Sequence, residues 1–175
     1  MNILGTHDTP RILTLLGCPD LPDDYEERAN HALTPDQRAR GLRLTKLAAA
    51  ILYCYPGSPT VYYADEAGLE GCEDPFNRRG YPWGREEMTL VRWYRFLGRL
   101  RANHPALQAG DLRIVEAKGA LLILERRLDD ECIVLCVNAG CDDLPLDLPG
   151  TLIPLDGGSA DALLRGESCR IFRVE

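Results

Sequence analysis

The chain has 175 residues, 45% hydrophobic and 27% charged, which is globular composition with length for one medium domain or two small ones. Its net charge of −7 is uneven: residues 1–109 hold 13 Lys and Arg against 14 Asp and Glu, whereas residues 110–175 hold 7 against 13. The acidic C-terminal part disfavours nucleic acid and anionic membrane as partners, and no apolar run approaches the roughly 18 residues that a membrane span requires.

The first apolar run, Asn2-Ile3-Leu4-Gly5, ends in Thr6-His7-Asp8-Thr9-Pro10. This pattern predicts a buried strand that delivers polar residues at its C-terminal end. A short helical piece from Arg11 to Leu16 follows, and residues 17–33, with turn formers and charges in no regular period, read as a loop. Thr34-Pro35-Asp36-Gln37 then signals a helix start, with Thr as N-cap, Pro at the first helical position and Gln three residues after the cap. That helix should run to about Cys54 and stop at Pro56-Gly57. Thr60 to Tyr63 is β-branched and aromatic and predicts a second buried strand, with Tyr62 and Tyr63 on opposite faces.

Residues 67–84 form a Gly-, Pro- and Asn-rich loop longer than an ordinary connection, carrying Asp74, Asn77, Arg78, Arg79 and Trp83; loops of this length are commonly functional. Arg79 reads as a brace of that loop, and Trp83 as either a ligand-stacking or a packing residue. Glu86 to about Asn103 is an amphipathic helix with Leu90, Val91, Tyr94, Leu97 and Leu100 inward and Arg92, Arg95, Arg99 and Arg101 on a solvated face, ending at Pro105. From Asp111 the period becomes strand-like, at 112–115, 121–125, 132–137, 151–155 and 170–174. Strands at this spacing predict an all-β module, a small sandwich, with the boundary at Ala109-Gly110.

The order strand, helix, strand, helix implies a parallel pair, and parallel strands belong to larger sheets covered on both faces. A (β/α)8 barrel of about 250 residues carries its chemistry at the C-terminal strand ends, where His7-Asp8 and Asp65-Glu66 both fall. Asp65-Glu66 is read as structural support. Seven cysteines without a Cys-x-x-Cys pair and three histidines without zinc-ligand spacing predict no metal and no cofactor. Cys132 and Cys136 should share one buried strand face. An odd count of cysteines in a chain that does not look disulfide-built fits a cytoplasmic or otherwise reducing location.

Three segments resemble one known family. The stretch from Asn2 to Arg11, with His7-Asp8 at a strand end, is similar to the last of the four short sequence regions of the α-amylase family. Pro56-Gly57-Ser58-Pro59-Thr60-Val61-Tyr62-Tyr63-Ala64-Asp65-Glu66 resembles that family's eighth-strand pattern, with Ala64 where Gly is usual. Asp74-Pro75-Phe76-Asn77-Arg78-Arg79-Gly80-Tyr81-Pro82-Trp83 resembles the Asp-Pro-x-x-Arg-Arg loop of neopullulanases, cyclomaltodextrinases and maltogenic amylases.

The resemblance implies a fold of the last two βα units of a (β/α)8 TIM barrel, residues 1–109, followed by a C-terminal β-sandwich, residues 110–175. It implies retaining hydrolysis of α-1,4 or α-1,6 glucosidic bonds in maltodextrins, cyclodextrins or pullulan. Asp8 would be the transition-state-stabilising carboxylate, and His7, Asp74 and Arg78 would bind substrate hydroxyls. The family's nucleophile and acid lie on earlier strands, so the expectation is a fragment inactive alone, partnered by an α-glucan oligosaccharide and prone to oligomerise through exposed barrel edges. The alternative is a non-catalytic carbohydrate-binding or accessory module.

Overall fold

A computed structural model describes residues 1–159 and 163–175. They form two compact units, one of residues Met1–Ala49 and Pro59–Phe96, the other of Ala50–Ser58 and Leu97–Glu175.

In the first unit, strand β1 (Asn2–Ile3) pairs in parallel with β2 (Pro59–Thr60), in the register Asn2 to Pro59 and Ile3 to Thr60. Both strands are shorter than the apolar runs suggest; after β1 the chain bends at Leu4 and turns at His7-Asp8. The Thr6 amide donates to Thr9 Oγ1 at 2.9 Å, and the Asp8 amide donates to Thr6 Oγ1 at 3.2 Å. Helix α1 (Ile12–Gly17) packs against helix α3 (Pro35–Cys54) at small residues. A Cβ on Gly41 would stand 2.6 Å from the Leu13 carbonyl oxygen, and one on Gly17 2.7 Å from that of Gln37. Two glycines thus let the backbones approach where larger side chains would hold them apart.

The expected cap of α3 is present as a reciprocal pair: the Gln37 amide donates to Thr34 Oγ1 at 3.3 Å and the Thr34 amide to Gln37 Oε1 at 2.9 Å. The segment read as a loop holds a helix, α2 (Tyr25–Asn30), started by Asp24, whose Oδ1 accepts from the Glu26 and Glu27 amides at 2.9 and 3.1 Å. With no buried residue, α2 has no apolar stripe to reveal it in sequence; its cap is its signal.

Helix α4 (Met88–Asn103) matches the amphipathic segment, and α5 (Pro105–Ala109) follows where the sequence suggested only a stop. Proline at the first helical position begins α5 as readily as it ends α4. In the second unit, Arg101 departs from the predicted solvated face: it donates to the carbonyls of Tyr53 (2.7 Å), Tyr55 (3.3 Å) and Gly57 (2.6 Å), closing the C-terminal end of α3.

The rest of this unit is a five-stranded sheet of order β3 (Asp111–Lys118), β4 (Leu121–Leu128), β5 (Glu131–Asn138), β9 (Ser168–Val174) and β7 (Leu152–Pro154), antiparallel throughout. A separate pair joins β6 (Leu144–Pro145) to β8 (Leu163–Leu164). Alternation along β4 and β5 puts Ile123, Cys132, Val134 and Cys136 on one face, packed with Phe172, Leu146 and Leu164 into a buried cluster. Cys132 and Cys136 therefore share a buried face as expected. Burial pushes the Cys136 thiol up to about 12, and that of Cys132 upward as well.

Candidate functional site

The four candidate residues meet in one exposed cluster of the first unit. His7 and Asp8 sit on the turn after β1, where His7 Nε2 lies 3.2 Å from Asp8 Oδ2. Asp74 and Arg78 come from the long loop after β2, with Arg78 Nε 2.7 Å from Asp74 Oδ1 and Arg78 Nη2 3.8 Å from Asp8 Oδ1. One guanidinium thus stands between two carboxylates. Asp8 retains 70% of its side-chain exposure, so its oxygens remain open to a ligand.

What fixes this cluster is buried beneath it. Asn77, fully buried, donates its side-chain amide to the carbonyls of His7 (2.8 Å), Thr9 (2.8 Å) and, more distantly, Thr6 (3.4 Å). The residue next to Arg78 therefore clasps the turn that presents Asp8. Arg11, 1% exposed, donates Nε to the Asn77 carbonyl at 2.7 Å and Nη1 to Asp65 Oδ1 at 3.0 Å, and Nη1 also bonds the Tyr63 carbonyl. Its guanidinium lies over the rings of Tyr62 and Tyr63, 4.2 and 4.5 Å from their centroids.

The two tyrosines consequently face the same cation instead of opposite sides of a strand. The strand has ended at Thr60, and Ala64 turns the chain at φ 68°. That left-handed conformation favours glycine and costs an alanine roughly 1–2 kcal/mol. Ala64 nonetheless adopts it while fully buried. Asp65 acts as the support expected of it.

Further bonds tie the long loop down. The Arg11 amide donates to the Gly71 carbonyl, and the Gly71 amide to Thr14 Oγ1, each at 2.9 Å. Helix α2 braces it through Arg28 to Glu73 (3.3 Å) and an edge contact between the Tyr25 and Phe76 rings (5.0 Å). Arg79 is the expected brace, donating to the Ala29 carbonyl at 3.3 Å and accepting from the Tyr63 hydroxyl on its own carbonyl at 2.9 Å. The Asp74-Pro75 peptide is cis. Trp83 is 80% exposed and lies against the Tyr81 ring, 4.5 Å between centroids, instead of being buried beneath the loop.

Sequence reading did not single out Arg11 or Asn77 as the organisers. Each lies inside a recognised motif, but their mutual bond spans 66 positions and leaves no local period. Among the described residues no group of three or more His, Cys, Asp or Glu could hold a metal ion, and no helix is long and apolar enough to cross a membrane. The site's means are therefore an open carboxylate, a ring nitrogen and a carboxylate-guanidinium fork, donors and acceptors that suit neutral polyhydroxylated ligands.

Burial pushes the Asp65 carboxyl up to about 6; the hydrogen bond and charge of Arg11 pull the other way, and Glu66 adds to the rise. A folded pKa above the unfolded 3.8 stabilises the fold fully below 3.8, and that stabilisation is lost as pH rises through about 6. Asp65→Asn should therefore gain stability relative to the parent between pH 4 and 7, measured by urea unfolding at both ends. A pH-independent difference would refute this titration.

No family model matches the chain. It is 40% identical to an amylopullulanase of Thermoanaerobacter thermohydrosulfuricus over 96% of its own length and 12% of that protein's. It is 32% identical to a cyclomaltodextrinase of a Bacillus species, over 78% of itself and 21% of the relative. The crystal structure of a maltogenic amylase from S. marinus superposes with a TM-score of 0.74 at 26% identity, covering 98% of this chain and 22% of that one. The chain thus spans about an eighth to a fifth of the length of these relatives.

Proposed function

We propose that this chain, a relative over most of its length of α-amylase-family glycoside hydrolases, supplies one wall of the active site of a retaining hydrolase acting on α-1,4 or α-1,6 glucosidic bonds. The observation that carries the reading is the union of His7, Asp8, Asp74 and Arg78 at the C-terminal end of a parallel strand pair. In this reading β1 and β2 are the last two strands of a (β/α)8 barrel within residues 1–109, and residues 110–175 form a β-sandwich domain. The parallel pairing of β1 with β2, and the core shared by the five-stranded sheet with Leu146 and Leu164, support that assignment.

Retaining hydrolysis needs a nucleophile and a proton donor about 5–5.5 Å apart and passes through a cationic sugar. Asp8 belongs to neither role here. Held by His7 on one side and Arg78 on the other, its carboxylate accepts hydroxyls of the ring being cleaved, and its charge favours that ring as positive charge develops. Arg78 and Asp74, locked in a fork, take hydroxyls of adjoining glucose units. The nucleophile and acid are assigned to other barrel strands, so the 175 residues bind without turnover.

The test pairs two measurements on the purified chain. Incubation with pullulan, a cyclodextrin and maltoheptaose should release no reducing ends. Maltoheptaose should shift the His7 ring resonances in NMR, and Asp8→Ala should abolish that shift. Measurable turnover overturns the partial-wall reading, and a His7 shift that persists without Asp8 overturns the assigned site.

A further inference from the structure

Trp83 is the most exposed large hydrophobic side chain away from the N-terminus, at 80%. It is held in place nonetheless. Its amide donates to the Tyr81 carbonyl at 2.9 Å, the Arg85 amide donates to the Pro82 carbonyl at 2.9 Å, and the indole lies 4.5 Å from the Tyr81 ring. Tyr81 is half-buried; burial raises its pKa, as do the nearby Glu66 and Glu86 charges. Gly80 and Gly84 flank the pair, and a Cβ at either would meet no atom within 4 Å, so the approach to the rings is open.

Beside Tyr81 and Pro82 lies a groove of about 540 Å³ whose polar lining includes Glu70, Arg79 and Arg85. That volume falls within the roughly 300–1,000 Å³ of small-ligand sites. Two aromatic rings next to donors and acceptors of both signs match a pyranose, which presents an apolar C–H face and a rim of hydroxyls. Glu70 is itself held by Arg38 at 3.0 Å and by the Leu33 amide at 3.2 Å, so the lining carries fixed groups of both signs.

We infer that Trp83 and Tyr81 form a second α-glucan contact, separate from Asp8, in which the indole stacks on a glucose ring and the groove takes its hydroxyls. The ligand class rests on the function proposed above. The same loop carries Asp74 and Arg78, so one oligosaccharide can engage both ends of it.

Intrinsic fluorescence tests this directly. The chain has two tryptophans, and Trp93 is a steady reference, stacked on Phe96 and donating its indole N–H to the Lys46 carbonyl at 2.9 Å. Maltoheptaose should change Trp83 emission in the parent and equally in Asp8→Ala, whereas glycerol should not. By calorimetry Trp83→Phe should keep binding and Trp83→Ala should weaken it roughly tenfold, the order of one aromatic stacking contact. Since the side chain is exposed, neither variant disturbs the fold, which far-ultraviolet circular dichroism verifies. Unaltered affinity in Trp83→Ala, the same response to glycerol, or silent emission while the His7 resonances shift would overturn the second contact and leave the Asp8 reading standing. Emission that responds while His7 does not would sink the Asp8 reading and leave this one.

Discussion

Arg11→Met is expected to destabilise the first unit by about 3–5 kcal/mol, the loss found when one partner of a buried ion pair is removed. The cause is what the arginine leaves behind. Asp65, 3% exposed, would lose its guanidinium at 3.0 Å, and the carbonyls of Asn77 and Tyr63 would lose a donor. Methionine matches the stem of the side chain and supplies none of these bonds. Arg11→Lys should recover little, because a single ammonium cannot reach a carboxylate, two separate carbonyls and two ring faces together. Arg11→Met combined with Asp65→Leu should be milder than Arg11→Met alone, since no buried charge is then left unpaired. Denaturant unfolding of the three variants decides the matter. A loss below about 1 kcal/mol for Arg11→Met would show that the pair does not organise the unit.

The same arginine marks the limit of what was legible in the sequence. Elements with a local signature were readable: the Thr34-Gln37 capping pair, the apolar stripe of α4, and the alternation that puts Cys132 and Cys136 on one face. The meeting of His7 and Asp8 with Asp74 and Arg78 came from motif resemblance alone, because the two segments are far apart in sequence and no period connects them. The polar groups that hold them together were illegible. Asn77 binds the carbonyls of Thr6, His7 and Thr9 through one amide, and a loop asparagine gives no sign of such partners. Tyr62 and Tyr63 misled for a related reason, since strand alternation was applied beyond the point where the strand stops. Arg101 looked like one more surface arginine because its partners are backbone carbonyls, which every sequence contains.

Arg126 extends that lesson to the second unit and carries the other large effect. It lies on β4 between Glu125 and Arg127, so alternation turns it to the opposite face from its neighbours. Arg127 is exposed and meets Glu125 at 3.3 Å, as does Arg113 at 2.8 Å. Arg126 is 1% exposed and bonds carbonyls alone: Cys54 (2.7 Å), Leu107 (3.1 Å) and Gly110, the last through Nε (3.2 Å) and Nη2 (2.7 Å). These oxygens lie at the ends of α3 and α5, where helices leave carbonyls unpaired, so one fork closes both. Burial lowers the Arg126 pKa, as does the charge of Arg101. Arg126→Met would fill the space and strand three buried acceptors, at about 1–3 kcal/mol each before relaxation. A total loss of about 3 kcal/mol or more is expected, while Arg127→Met, which breaks a solvated surface pair, should change stability far less. Cys54 gives an independent readout. Burial pushes its thiol up to about 12, so it should resist a disulfide reagent that modifies exposed Cys141 at once. In Arg126→Met, Cys54 should become reactive under native conditions. If Cys54 stays protected and the two substitutions cost the same, Arg126 closes nothing and the sheet is held by its apolar face alone.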